Sequence, residues 1–405
     1  MVTKMTSVHY IVVASASIVI LLSMGARHSF GLFQTPISQD FGIGVAAFSF
    51  SIALQNLFWG LSQPFVGAIA DKYGSGRVIA LAGAAQVIGL LILSNADSIL
   101  ELHLSTGIII GIAGAGTTWA VLMSVVARNV PEHRRTFFFG LVSAMSSMGQ
   151  VLLVPMTQSN INNFGWVDAV IILSILVAFT LPLSYILRGK TEDKKLNQEH
   201  LETLGQILNR ARKHSGYLLL IAGFYVCGFH VMFIAAHLPN YLLTLNMPDW
   251  LPGTAISLIG IFNLFGTLFF GWLGDRYSKK YLLSTLYFLR SVVIATFVFL
   301  PISNFSVLLF SASIGFLWLA TVPLTNALVG QLFGIKYLAT LVGVVFAGHQ
   351  LGSFASVWLG GWLFDETGSY ELVWQIAIGL GLLAALLHLP IRDKPTTAPQ
   401  PQPAE

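Results

Sequence analysis

The sequence predicts an all-α membrane protein of twelve transmembrane helices, arranged as two six-helix, pseudo-symmetric bundles. Three observations carry that prediction. The 405 residues are 55% hydrophobic and only 9% charged, against roughly a quarter charged in soluble domains, so there is too little polar surface to clothe a water-soluble globule. Twelve apolar stretches of spanning length can be drawn, and 19 of the 21 lysines and arginines fall in alternate connections or at the two ends. The two halves also repeat one another at an offset of 204 residues, from Gly67 to Gly271.

A spanning helix needs about 20 apolar residues. In order, the stretches run over 8–33, 45–70, 77–95, 101–128, 136–158, 166–187, 216–241, 253–274, 281–300, 304–332, 338–364 and 370–390. The first follows Lys4 and has the outline of a signal peptide, yet it runs on past any signal core without a cleavage site and reads as a retained helix. Even-numbered stretches are followed by the basic connections: Lys72 and Arg77; Arg128, Arg134 and Arg135; seven basic residues from Arg188 to Lys213; Arg276, Lys279 and Lys280; Lys336; and finally Arg392 and Lys394. Odd-numbered stretches are followed by connections that carry acids alone, among them Asp40, Asp97, Glu101, Asp249, Asp365 and Glu366. Cytoplasmic loops retain positive charge, which predicts a cell membrane protein (plasma or bacterial inner membrane) with both termini cytoplasmic.

The longest polar stretch divides the chain. The expected domains are an N-terminal bundle over 1–187, a cytoplasmic linker over 188–215, a C-terminal bundle over 216–392 and a disordered cytoplasmic tail over 393–405. Within the linker, Leu201, Leu204, Ile207 and Leu208 have helical spacing, which predicts a short amphipathic helix lying on the inner membrane surface.

The same residues exclude several functions. The net charge of +4 sits at helix ends, where membrane topology explains it, so no nucleic-acid partner is expected. Cys227 is the one cysteine, which rules out an intrachain disulfide and a cysteine metal site. No metal-ligand cluster and no cofactor motif is present. "GKT" at Gly189, Lys190 and Thr191 lacks the first glycine of a phosphate-binding loop, since Ser184 stands there. Paired intramembrane carboxylates and a large sensor domain are also missing, so a membrane enzyme or sensor is disfavoured.

The repeat carries the family resemblance. "GAIADKYGSGRV" from Gly67 and "GWLGDRYSKKYL" from Gly271 end the second and eighth stretches, and Gly140 and Gly149 correspond to Gly343 and Gly352 at an offset of 203. A repeat in the same membrane orientation marks two halves related by an axis along the membrane normal. With Gly67, Asp71, Lys72, Gly74 and Arg77, and the weaker copy at Gly271, Asp275 and Arg276, the chain resembles the major facilitator superfamily. "RHSFGLFQTPI" from Arg27, "NLFWGLSQPFVGAIADKYG" from Asn56 and "GGWLFDETGSYELVW" from Gly360 resemble its monocarboxylate and oxalate/formate transporter branch.

The resemblance implies a secondary active transporter moving a small organic anion, a monocarboxylate, by alternating access, with proton symport as an option. It implies that the first, fourth, seventh and tenth helices line the cavity, and that Asp71 and Asp275, with their neighbours, form a latch that breaks and re-forms as the protein switches. Asp71 could meet Arg77 or the positive end of a neighbouring helix. The branch's helix-eight arginine and aspartate fall near Thr267 and Asn263 here, both uncharged, whereas its helix-one cation falls at Arg27 and His28. An exporter of amphiphilic compounds such as a drug or siderophore is the alternative. It is favoured by the missing helix-eight arginine and many aromatics, and weakened by "GQVLLVP" from Gly149, which lacks the Gly-Pro pattern of antiporters.

Read as residues, two cations stand out, because an arginine at membrane depth costs ~2.5 to 3.5 kcal/mol on insertion scales. Arg27 can snorkel to the interface or grip a carboxylate through two parallel hydrogen bonds. Arg290 is about ten residues from either end of its helix, roughly 15 Å from water, and is either structural or ligand-binding. No acid lies at comparable depth, so its partners would be carbonyls, polar side chains or substrate. Titrating groups for proton coupling are His230, His237 and His349. The substrate-binding candidates are Arg27, His28, Trp119, Gln150, His230, Asn263, Trp318, Asn326, His349 and Gln350, with Gln55, Asn56, Tyr225 and Thr321 as further polar lining. The expected partners are an organic anion and the lipid bilayer, and the expected oligomeric state is a monomer.

Overall fold

Inside a bilayer every backbone polar group must be satisfied internally, and a helix does this within one segment. The computed structural model, which describes residues 7–43, 45–188, 202–248 and 250–393, has helices and no strand among them. Twelve are of membrane length: α1 (Ser7–Ser29, continued as a 3₁₀ turn to Phe33), α2 (Val45–Tyr73), α3 (Ser75–Ser94), α4 (Ile99–Asn129), α5 (Arg135–Phe164), α6 (Trp166–Ile186), α7 (Ser215–Thr244), α8 (Trp250–Gly274), α9 (Lys279–Phe299), α10 (Asn304–Phe333), α11 (Leu338–Thr367) and α12 (Glu371–His388). These match the twelve stretches in order, and a further short helix, Gln34–Phe41, follows α1.

Within each half α1 packs on α5 and α7 on α11, while the halves meet where α2 crosses α11 and α5 crosses α8. Small residues permit both crossings. A Cβ on Gly140 of α5 would lie 2.8 Å from the Thr267 carbonyl oxygen of α8, and one on Gly343 of α11 would lie 2.7 Å from that of Gln63 on α2. The two crossings are therefore copies of one contact, as the sequence repeat predicts.

Two helices are interrupted at matching places. α4 is π-helical over His103–Ile109 and breaks at Thr118. α10 runs as Asn304–Leu317 and Thr321–Phe333 with a break between them. Pro323 accounts for the second break, since it lacks an N–H for the preceding turn and its ring crowds the carbonyl of Leu319.

One expectation is corrected. The linker helix occupies Leu204–Lys213, started by a capping box between Thr203 and Gln206, and its stripe faces protein instead of the membrane surface. Ile207 and Ala211 are buried in the main core cluster, with Leu204 and Leu208 packed against it. The segment is also tied to the ends of α10 and α11: Arg210 lies over the Phe333 ring at 5.5 Å, and the Tyr337 hydroxyl donates to the Glu202 carbonyl at 3.2 Å. Residues 189–201, including Leu201 and the "GKT" triplet, lie outside the described residues, as do Asp249 and the predicted tail from 394 onward. Asp393, placed in that tail by the sequence, docks on the C-terminal half: Ser278 Oγ donates to its carboxylate at 2.7 Å and Gln331 Nε2 to its carbonyl at 2.6 Å.

Candidate functional site

At the basic end of the bundle the two repeat aspartates bridge the halves. Asp71, buried at the end of α2, accepts from the Thr340 backbone N–H and hydroxyl, each at 2.8 Å, at the start of α11. Asp275, after α8, accepts from the Thr136 N–H at 2.8 Å and the Phe137 N–H at 2.9 Å at the start of α5. Each carboxylate thus caps the positive N-terminal end of a helix in the opposite half. Of the two partners the sequence allowed Asp71, the structure uses the helix end. Arg77 and Lys72 are exposed, Gly67 backs onto the Ala339 carbonyl, and Gly74 turns the chain with φ 98°. Arg276 bonds the Trp272 carbonyl at 3.1 Å and lies over its ring. Burial raises the Asp275 carboxyl above its ordinary range, against the lowering effect of the N–H groups it accepts from. Arg128 belongs here too, donating to Ser75 and Ser124 at 2.6 and 2.7 Å with its charge near Asp71. Sequence reasoning read it only as a topology charge.

Midway through the bundle the halves share an aromatic floor. Trp59 stacks on Trp119 at 5.7 Å, both approach Phe346 of α11, and His349 stacks on Phe346 at 5.2 Å and lies 4.9 Å from Phe224. Arg27 turns inward over this floor instead of snorkelling. Its guanidinium carbon is 4.4 Å above the Trp59 ring and Nη2 donates to Asn56 Oδ1. Its Nε is buried without a partner, and no carboxylate acts on it among the described residues. Asn56 in turn links the halves, since Gln350 Nε2 donates to its carbonyl at 3.3 Å and His349 pairs with Gln350 Oε1 at 3.1 Å. Below Arg27 is a small cavity between α1, α2, α3 and α4, bordered by Ser23, Gln55, Gln86, Thr117 and Thr118.

The other sequence candidates divide. Arg27, Asn56, Trp119, His349 and Gln350 meet at this floor, and His28 is half-buried beside Arg27. Gln55 donates to the Thr106 carbonyl at 3.1 Å. Gln150 lies beside Gly260, while Asn326 is buried and donates to the Val322 carbonyl at 2.8 Å. Tyr225 lends its carbonyl to a close approach by Gly352. Asn263 works at the α5–α8 crossing, donating to Ser147 Oγ at 2.5 Å and accepting the Leu319 N–H at 2.9 Å. His230 bonds the Ala377 carbonyl of α12 at 2.8 Å, and His237 bonds the Val357 carbonyl of α11 at 3.0 Å, so both are engaged away from the floor. Trp318 marks the α10 break, and Thr321 Oγ1 contacts Cys227 Sγ at 3.2 Å. Arg290, 1% exposed, directs its guanidinium at backbone carbonyls of that break. Trp59, Phe346 and Phe224 were missed, because aromatic residues on apolar helices carry no signal until their helices are paired.

Two matching helical bundles, bridged at one end and joined over a polar and aromatic floor, have the architecture of a membrane transporter. The sequence signature of the Major Facilitator Superfamily matches residues 16–334 and 252–405, and the chain belongs to that family. It is similar to the MFS-type transporter YcxA of Bacillus subtilis (25% identity, 91% of each chain) and to monocarboxylate transporter 12 of Rattus norvegicus (25% identity, 84% of this chain and 75% of that one). Among solved structures it resembles the transporter FucP in the outward conformation, with a TM-score of 0.72 at 15% identity over 94% of this chain and 99% of that one.

Proposed function

We propose that the protein moves a small organic anion, a monocarboxylate, across a cell membrane, with the basic end and both termini cytoplasmic. The observation that carries this reading is Arg27: a guanidinium turned into the bundle, with an unpartnered Nε and, among the described residues, no acid against it. A membrane-buried cation lacking a fixed counter-ion is costly, and a carboxylate substrate supplies that counter-ion. The substrate's carboxylate takes Nε and one Nη in a two-pronged grip, displacing Asn56 Oδ1, and its apolar part lies on Trp59 and Trp119. Asn56 also stands at the α2–α11 crossing, where its backbone carbonyl accepts from Gln350. Similarity to a monocarboxylate transporter supports the substrate class.

If transport is coupled to protons, our reading assigns the coupling to His349, because it stands on the shared floor while His230 and His237 are tied to backbone carbonyls elsewhere. A second reading, export of an amphiphilic compound, is favoured by the aromatic floor and by the neutral Asn263 and Thr267, where the Thr267 hydroxyl donates to the Asn263 Oδ1 at 3.1 Å. Proteoliposomes assayed with radiolabelled acetate, lactate, pyruvate and oxalate, with and without a pH gradient, separate the two. Saturable uptake of a carboxylate that disappears in Arg27→Ala is expected. Absence of uptake for every acid, with drug or siderophore efflux in its place, overturns the first reading.

A further inference from the structure

The internal repeat allows each half to serve as a control for the other. At an offset of 204 residues Arg290 of α9 corresponds to Gln86 of α3, Cys227 of α7 to Ser23 of α1, and Leu317 and Trp318 to Ala113 and Gly114. These positions surround the breaks in α10 and α4, which raise the same chemical problem: carbonyls that have lost their helical partners inside a bilayer.

The two halves solve it differently. In α4 the solution is local. Thr117 Oγ1 donates to the Ala113 carbonyl at 3.3 Å and Thr118 Oγ1 to that of Gly114 at 2.6 Å, while Gln86 points to the Ser23 carbonyl at 3.5 Å. In α10 it comes from another helix. Arg290 Nε and Nη2 donate to the Leu317 carbonyl at 3.1 and 2.6 Å, Nη2 also reaches the Trp318 carbonyl, and Nη1 donates to Cys227 Sγ on α7 at 3.4 Å. From the other side the Leu319 N–H donates to Asn263 of α8. The α10 break is thereby tied to α7, α8 and α9. Below it, Thr321–Phe333 packs on α8, α9 and α11 of its own half and also on α5 of the opposite half, whereas Asn304–Leu317 packs on α8 and α9 of its own half.

We infer that Arg290 is a positioning residue for transport: it pins the α10 break to its own half, so that Thr321–Phe333 swings as a gate about a fixed joint when the basic end opens. The inference does not depend on the substrate class. A guanidinium suits the task because its planar fork covers two carbonyls and the thiol together, stays charged, and needs no acid nearby. With the outer segment fixed, motion is confined to the residues between Leu317 and Thr321.

Arg290→Gln, which installs the residue of the other half, tests this in the full-length protein in nanodiscs. Hydrogen exchange is expected to rise at least tenfold over 317–322 and to stay within twofold over 113–118 and in α12. In a Cys227→Ser background, which keeps an acceptor for Nη1, Thr325→Cys on the inner segment is expected to react at least fivefold faster with an impermeant maleimide from the basic side once Arg290 is replaced by Gln. Unchanged exchange over 317–322, an equal rise throughout the C-terminal half, or unchanged maleimide reaction overturns the inference. Should Arg290→Gln fail to fold, Arg290→Lys carries the test, since it keeps the charge but not the fork. Wild-type exchange over 317–322 in that variant overturns the pin, and an intermediate rise supports it.

Discussion

Arg27 and Arg290 place the same side chain inside the same bilayer, one in each half, with opposite surroundings. Arg290 is enclosed, its donors directed at the carbonyls of Leu317 and Trp318 and at the Cys227 thiol. Arg27 is half-buried, held by one side-chain oxygen and an aromatic face, with Nε unbonded. A guanidinium whose three nitrogens are engaged by backbone carbonyls and a thiol has little to offer a ligand, while one with an idle donor and no counter-ion does. On the proposed reading the difference separates a positioning charge from a binding charge, and burial depth alone would have ranked them the other way.

The largest effect that can break this comparison is at Arg27 itself. Two hydrogen bonds to a charged group at ~1.5 to 3 kcal/mol each predict that Arg27→Ala lowers carboxylate uptake by a factor of about 100 or more. Arg27→Lys, which keeps the charge but not the fork, should retain part of the activity. A loss at Arg27→Ala no greater than twofold would remove the binding role. The next effect is at Asn56. Asn56→Asp supplies Arg27 with a fixed counter-ion in the same place, which the substrate must then displace. The expected outcome is an increase in KM of about tenfold, equivalent to ~1.4 kcal/mol, with the protein folded and expressed. An unchanged KM would show that Asn56 does not stand where the carboxylate goes.

Much of this was legible in the sequence, and the reason differs from feature to feature. The twelve helices and the repeat follow from apolar length and from charge placement, both of which are properties of residues taken one at a time. The contact of Asp71 with a helix N-terminus was legible as one of two options, because a carboxylate at a helix end in a repeated motif has few partners to choose from. The partners of Arg290 were hidden because they are carbonyls, which every residue carries. Pro323 was the available signal, since a proline three residues into a helical segment announces freed carbonyls just before it. The seat of the linker helix was hidden because a stripe of Leu204, Ile207 and Leu208 asks only for apolar cover, and lipid and protein supply it equally well. The floor of Trp59, Trp119, Phe346 and His349 joins helices from both halves, and no local pattern links them.

The smaller effects concern the gate, where the halves are nearly identical. Asp71 reaches the first turn of α11 from a buried position, and both of its bonds end on one oxygen, Oδ2. An asparagine keeps an oxygen for them but loses the charge that faces the positive end of that helix. The expected outcome for Asp71→Asn is a severalfold faster reaction of a cysteine at Thr325 with impermeant reagent from the basic side; an unchanged rate would show that the carboxylate's charge does not hold that end.

The smallest effect is a pH dependence at Asp275. Its carboxyl is raised in the closed state by burial, which outweighs the backbone N–H groups it accepts from. When the gate opens and water reaches the group, its pKa returns toward the ordinary carboxylate value. A group whose pKa is higher in the closed state favours that state most below its open-state pKa, and the advantage is lost as pH rises through the raised value. Acidification into the carboxylate range should therefore slow reaction at the Thr325→Cys reporter, and Asp275→Asn should reduce that slowing. The comparison is made between the mutant and its parent at each pH, which removes the intrinsic pH dependence of the thiol. If mutant and parent change in parallel, the pH effect arises at another group and Asp275 acts through its hydrogen bonds alone.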